Sequence, residues 1–334
     1  MVSDGLRIVV VGARCLGDAL MTLPALALLR ASLPDARFLL VAPSALAARV
    51  WLLSGLAEPS EVREMDGKTH RIPARFFAMR QTRPDGIVLF SGGFVWALAA
   101  RLAGAPVRVG LASDGRAWLL THVFPAQAAN VHQSVVCRGI ASLALAALGN
   151  SPAPCQETDY LLPGARDSVR EMRRLVVLPS ASHGDKIWPA ENFAAVTDAL
   201  LDEGAVSEIL VLGSPAEREL CQALAAPGGR AGVRAFNAEL EELARVCMSA
   251  GYALGNTTGL AHLAAFCGCR VLALSGEPGH DRGAPACAGC VSLGNPALPA
   301  ELQKKGSREV LAAITPEMVL AQLRTMMAEG SPLV

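Results

Sequence analysis

Short β-branched runs alternate with longer helical patterns along this chain, and they do so in two successive rounds. In the first, Leu6–Gly12, Arg37–Ala42, Gly86–Phe90 and Val107–Leu111 read as buried strands. Helices at Leu16–Ser32, Ser44–Leu53 and from Ser91-Gly92-Gly93 to Leu102 separate them, and a helix at about His132–Leu148 ends the half. Gly149, Pro152, Pro154, Pro163 and Gly164 then break the pattern, which marks a domain boundary. The second round runs through strands at Leu175–Pro179, Glu208–Gly213, Arg234–Phe236, Tyr252–Gly255 and Arg270–Ser275. Its helices are Pro189–Glu203, Pro215–Ala225, Glu239–Ser249, Leu260–Cys267 and Pro316–Met327. Such alternation demands a parallel sheet covered on both faces. The chain is therefore predicted to be α/β, with two Rossmann-like domains, 1–160 and 161–334, facing across a cleft. In open α/β sheets ligands sit beyond the carboxyl ends of the strands, so the loops there should carry the site.

A hydrophobic fraction of 52% with 18% charged residues excludes a disordered chain, and no apolar run is long enough to span a bilayer. Arg14 and Asp18 interrupt the apolar N-terminal segment and no small-residue cleavage site follows, so a cytoplasmic location is expected. Nine cysteines without a framework fit buried thiols in a reducing compartment. Cys287 and Cys290 form a C-x-x-C, and Cys267 and Cys269 lie close together, but no second pair stands at zinc-finger distance; buried thiols are expected, with a four-thiolate metal site as the lesser alternative. Thirty basic and thirty acidic residues balance overall. One basic segment stands out, with Arg63, Lys68, Arg71, Arg75, Arg80 and Arg83 against Glu64 and Asp66. It is too small a field for nucleic acid. A solvated helix face and a site for a discrete anionic ligand both remain open for it.

Three loops can carry chemistry. The first is Tyr252-Ala-Leu-Gly-Asn-Thr-Thr-Gly259-Leu-Ala-His262, a strand, a polar turn and a helix start. There the helix amides and dipole favour a phosphate or diphosphate; Gly259 permits close approach, and Thr257 and Thr258 offer hydroxyls. His262 in the first turn is either a packing residue or a ligand contact. The second, Pro179 to Pro189, sets Ser180 and Ser182 beside the mobile cation of Lys186, an arrangement suited to a phosphoryl leaving group. The third is Gly12-Ala-Arg-Cys-Leu-Gly17-Asp18, which lacks both the dinucleotide glycine fingerprint and the P-loop ending. Asp18 either complements the helix dipole or accepts a proton from an attacking hydroxyl.

With these loops identified, the chain resembles the heptosyltransferases and related enzymes of glycosyltransferase family 9. The resemblance rests on Leu16-Gly17-Asp18 through Thr22-Leu23-Pro24-Ala25, on Ser180 through Pro189 with its K-x-W-P ending, on Leu212–Glu217, and on Thr257–Ala264, in that order. It implies a GT-B fold, with acceptor at the first domain and nucleotide-sugar at the second. It also implies an inverting, metal-independent transfer that uses no cofactor, most simply of heptose from ADP-heptose to a lipopolysaccharide-core or related glycan acceptor. Asp18 would be the general base. Lys186, Ser180, Ser182, Thr257, Thr258, Gly259 and His262 would hold the donor and its diphosphate, and Arg63, Lys68 and Arg71 the anionic acceptor. Lipid-linked acceptors imply contact with the inner face of the cytoplasmic membrane. Where the family carries aspartate for the donor sugar, this chain has Thr257, which cannot act as a charged bidentate acceptor. Two other readings are a nucleotide-sugar epimerase on the same fold, with Asp185 and Glu277 as extra acid/base groups, and a non-catalytic sugar-nucleotide-binding member.

Overall fold

The computed structural model describes residues 5–65, 72–125, 131–154, 160–181, 186–225, 230–276, 283–285, 287, 289–294 and 307–330. The chain divides into two compact units, Met1–Asp159 and Tyr160–Val334.

The first unit comprises β1 (Arg7–Val11), α1 (Leu16–Met21), α2 (Leu23–Ser32), β2 (Arg37–Ala42), α3 (Ala45–Leu53), β3 (Val62–Glu64), α4 (Ile72–Gln81), β4 (Gly86–Leu89), α5 (Phe94–Ala103), β5 (Val107–Leu111), β6 (His122–Phe124) and α6 (Gln133–Ala147). Its six strands run parallel in the order β3-β2-β1-β4-β5-β6. β1 is central because Ile8-Val-Val-Val11 is apolar at every position and can be buried on both faces. Val9, Val11, Val41, Ile87 and Leu89 share one core with Met79 of α4 and Trp96 of α5. The intervening Ile8, Val10, Leu40 and Val88 are equally buried. Burying each such aliphatic side chain contributes ~1.5–3 kcal/mol.

The single helix predicted over Leu16–Ser32 is two helices. Pro24 has no N–H to continue the ladder, so α1 stops and α2 restarts with Pro24 in its first turn. Thr22 sits buried at the joint, its hydroxyl donating to the Ala19 carbonyl at 2.7 Å.

The second unit comprises β7 (Glu171–Leu178), α7 (Ala190–Asp202), β8 (Glu208–Gly213), α8 (Arg218–Ala225), β9 (Val233–Asn237), α9 (Leu240–Met248), β10 (Ala250–Asn256), α10 (Gly259–Phe266), β11 (Arg270–Leu274), β12 (Val291–Leu293), α11 (Ser307–Ala312) and α12 (Pro316–Ala328). The order β12-β11-β10-β7-β8-β9 is again all parallel. Its core gathers Leu175, Val177, Leu254 and Leu272 from the sheet with Trp188, Phe193, Val196 and Leu323.

Both sheets thus share one winding. From β1 the connections run outward through β2 and β3, then return to start again at β4 on the other side. β7 and β10 stand in the same relation. The carboxyl ends of β1 and β4, and of β7 and β10, are therefore topological switch points, where α/β sheets bind ligands. Among the described residues no helix is long and apolar enough to cross a membrane.

Candidate functional site

In the second unit the two switch-point strands end side by side, with Leu178 of β7 opposite Gly255 of β10. The approach is close: a Cβ on Gly255 would lie 2.5 Å from both the Cβ and the carbonyl oxygen of Leu178. The loop after β7 carries Ser180, which is buried, and Lys186, which is partly buried. The turn after β10 carries Thr257, Thr258 and Gly259, all partly exposed. Sequence-predicted donor residues from two distant stretches are thereby brought to neighbouring strand ends. Ser182 lies outside the described residues.

Within the turn the two threonines differ. The Thr257 amide and hydroxyl both donate to the Leu274 carbonyl, at 2.9 and 3.1 Å, so this side chain is tied to the end of β11. An ionised carboxylate at this position could not donate to that carbonyl. Thr258 is the N-cap of α10 with extended backbone, but its hydroxyl caps nothing; Oγ1 is buried without a partner among the described residues. The first-turn amides of α10 have no carbonyl within the helix to bond. Hydroxyl, amides and dipole together suit an anion. His262 is buried, and its Nε2–H donates to the Gly283 carbonyl at 3.1 Å, joining α10 to the segment beyond β11.

Sequence reasoning missed the residue that joins the two loops. Asn256, almost fully buried, accepts from the Trp188 amide at 2.9 Å and donates from Nδ2 to the Pro179 carbonyl at 2.8 Å. Trp188 is itself anchored, with Nε1–H donating to the Ile314 carbonyl at 2.9 Å and its ring edge-on to Phe193. The Leu212–Glu217 segment closes on itself: Glu217 accepts from the Ser214 amide and hydroxyl in a capping box.

In the first unit Val11 of β1 lies opposite Leu89 of β4, so the loops carrying Asp18 and Ser91-Gly92-Gly93 leave adjacent strand ends. Gly12 turns against the buried Trp51 indole, which a Cβ would meet at 2.5 Å. Ser44 donates to the Arg14 carbonyl at 2.8 Å and fixes the loop from the other side. Asp18 stands in the first turn of α1 with its outer side in solvent, yet the protein around it removes enough water to raise its pKa above the ordinary carboxylate value. Cys137 of α6 lies close enough to feel that charge; its thiol is pushed up to about 12, chiefly by burial.

Arg116, fully buried and equally unforeseen, donates to the carbonyls of Leu111, Ser91 and Gly93 and so joins the loops after β5 and β4. Arg63 is exposed on β3, whereas Lys68 and Arg71 lie outside the described residues. Arg75, from the same basic segment, is buried and stacked 4.4 Å over Trp96. Among the described residues no group of three or more histidine, cysteine or acidic side chains could hold a metal ion. Cys269 instead donates to the Cys247 carbonyl at 2.9 Å.

Comparison with known proteins agrees with this architecture. The sequence model of glycosyltransferase family 9 (heptosyltransferase) matches residues 76–312. Among solved structures, E. coli heptosyltransferase WaaC with ADP superposes with a TM-score of 0.74 at 23% identity, covering 97% of this chain and 98% of that one. The same enzyme with ADP-2-deoxy-2-fluoro heptose gives 0.73 at 21%, covering 96% and 99%. E. coli ADP-heptose lps heptosyltransferase II also gives 0.73 at 21%, covering 97% and 99%. No curated protein matches by sequence. The solved structures share the GT-B fold of two Rossmann-like units, as the resemblance implied. Matched by the family's own sequence model over most of its length, the chain belongs to glycosyltransferase family 9, the heptosyltransferases, and is a glycosyltransferase.

Proposed function

We propose that this glycosyltransferase moves heptose from ADP-heptose to a lipopolysaccharide-core or related anionic glycan, inverting the anomeric carbon without a metal. The first domain takes the acceptor and the second the donor. The observation that carries this reading is the switch-point arrangement of the second unit, where Ser180, Lys186, the uncommitted Thr258 hydroxyl and the α10 amides stand at adjoining strand ends. The heptosyltransferases solved with ADP and with a fluorinated ADP-heptose support the choice of donor.

In the transfer, the acceptor hydroxyl oxygen attacks the anomeric carbon as the bond from that carbon to the diphosphate oxygen breaks. Asp18 accepts the hydroxyl proton. Positive charge develops on the sugar and negative charge on the departing ADP, and preorganised donors stabilise the latter. Lys186, Ser180, Ser182, Thr258 and the Gly259 amide supply those donors; Thr257 and His262 hold the turn that presents them. Arg63, Lys68 and Arg71 pair with acceptor anions. Membership of the transferase family favours transfer over the epimerase reading; Asp185 and Glu277, the extra acid/base groups that reading needs, lie outside the described residues.

Incubation with ADP-heptose and a heptose-deficient core acceptor, in the presence of a chelator, tests the reaction. NMR of the product should show the anomeric configuration inverted relative to the donor. Retention, or loss of activity on chelation, would sink the mechanism. We also assign membrane contact to the first unit, where the exposed rings of Trp118 and Phe94 lie tilted 6.4 Å apart with Arg101 over the Trp118 ring. Co-sedimentation with anionic vesicles should fall on Trp118→Ser; equal binding by both proteins refutes the assignment.

A further inference from the structure

We infer that Asn256 is a positioning residue for the diphosphate site, locking the stems of the Lys186 loop to the entrance of α10. The inference rests on the donor site proposed above. Asn256 is the last residue of β10 and 1% exposed. Its amide makes two bonds of opposite polarity, accepting from the Trp188 N–H and donating to the Pro179 carbonyl. A backbone carbonyl can only accept and a backbone amide can only donate, so the partners themselves fix which end of the carboxamide is oxygen. Pro179 follows the end of β7, and Trp188 stands two residues before α7. One side chain therefore grips both stems of the loop that carries Ser180 and Lys186. The residues immediately after it, Thr257 to Gly259, form the anion-binding turn.

No ionised or apolar side chain of this size meets both demands. Ionised aspartate accepts from Trp188 but sets a negative oxygen against the Pro179 carbonyl. Leucine and alanine leave two buried backbone groups unpaired. Protonated aspartic acid, however, matches asparagine, with a carbonyl for Trp188 and an O–H for Pro179. The clamp thus couples the Lys186 cation to the α10 amides before the donor arrives, which is the preorganisation that charge stabilisation requires.

ADP affinity is measured by calorimetry for wild type, Asn256→Ala, Asn256→Asp, Lys186→Ala and the Lys186→Ala/Asn256→Ala double variant, with melting temperatures as a folding control. Asn256→Ala should weaken ADP binding ~10-fold, the effect of losing about one buried hydrogen bond's worth of positioning. In the Lys186→Ala background it should cost clearly less than in wild type, because one of the groups whose position it controls is gone while Ser180 and the α10 amides remain. Asn256→Asp should bind poorly at pH 8 and recover toward the wild-type value as pH falls and the new carboxyl protonates, each value taken as a ratio to wild type at the same pH. This isosteric variant keeps the test usable if Asn256→Ala does not fold. Wild-type affinity in Asn256→Ala, additive losses in the double variant, or no pH recovery in Asn256→Asp would each overturn the clamp. Absence of ADP binding by wild type would instead overturn the donor site on which it rests.

Discussion

At Asp18, the proposed general base, one carboxylate meets two requirements that oppose each other. A general base should hold its proton tightly once taken, which favours a raised pKa, yet it must be ionised at working pH. Partial desolvation supplies the first, and an outer side open to solvent preserves the second. Replacing it with asparagine should lower kcat by ~10²–10⁴-fold, the range typical of general-base catalysis, while ADP affinity stays within about twofold. In wild type the acid limb of kcat/KM should lie above the ordinary aspartate range, because burial raises the Asp18 pKa.

The same shift has a stability consequence. Because the folded pKa is raised, the stability Asp18 contributes is fully present below its unfolded value and lost as pH rises through the folded one. Asp18→Asn should therefore gain melting temperature over wild type as pH increases from 4 to 8. A difference that shrinks over that range would refute the desolvation account. Asp18, Lys186 and Thr258 can be proposed from the sequence because loop chemistry is local. Asn256 and Arg116 cannot: their partners lie up to 77 residues away for Asn256 and up to 25 for Arg116, and only the fold brings them together.

Among the elements, apolar periodicity identified the long buried strands and most helices, because that signal is local and extended. The three-residue β3, β6 and β12 carry too few positions to show a period, and all three sit at or near sheet edges. α4 shows no clean apolar period because arginines stand within its apolar positions, so the sequence offers only a solvated helix face there; the burial of Arg75 depends on the Trp96 ring that covers it. The division at Thr22 is written in Pro24, whose missing N–H cannot continue the ladder and suits the first turn of a new helix. The pairing of β7 and β10 is the element-level contact on which the proposed donor site depends. Gly255→Ala should destabilise the second unit by ~1–3 kcal/mol, the usual cost of overpacking, since the obstructing Leu178 carbonyl is backbone and cannot rotate away. Urea unfolding would report this as a lower midpoint at unchanged slope; a midpoint equal to wild type would mean the strands are less closely paired.

For the whole molecule, the repeated winding of the two sheets is the governing feature, since it creates two switch points in one chain. The strand–helix alternation predicted two parallel sheets, but strand order is a long-range property and periodicity carries no record of it. Once known, that order explains why chemistry-bearing loops separated by tens of residues share strand ends. Nucleotide choice follows from the whole second unit, and calorimetry on the wild-type chain with ADP, UDP, GDP and ADP-heptose tests it most directly. ADP and ADP-heptose should bind at one site per chain, clearly more tightly than UDP or GDP. Preference for UDP or GDP, or no binding of any of the four, would contradict the assignment of an ADP-heptose donor.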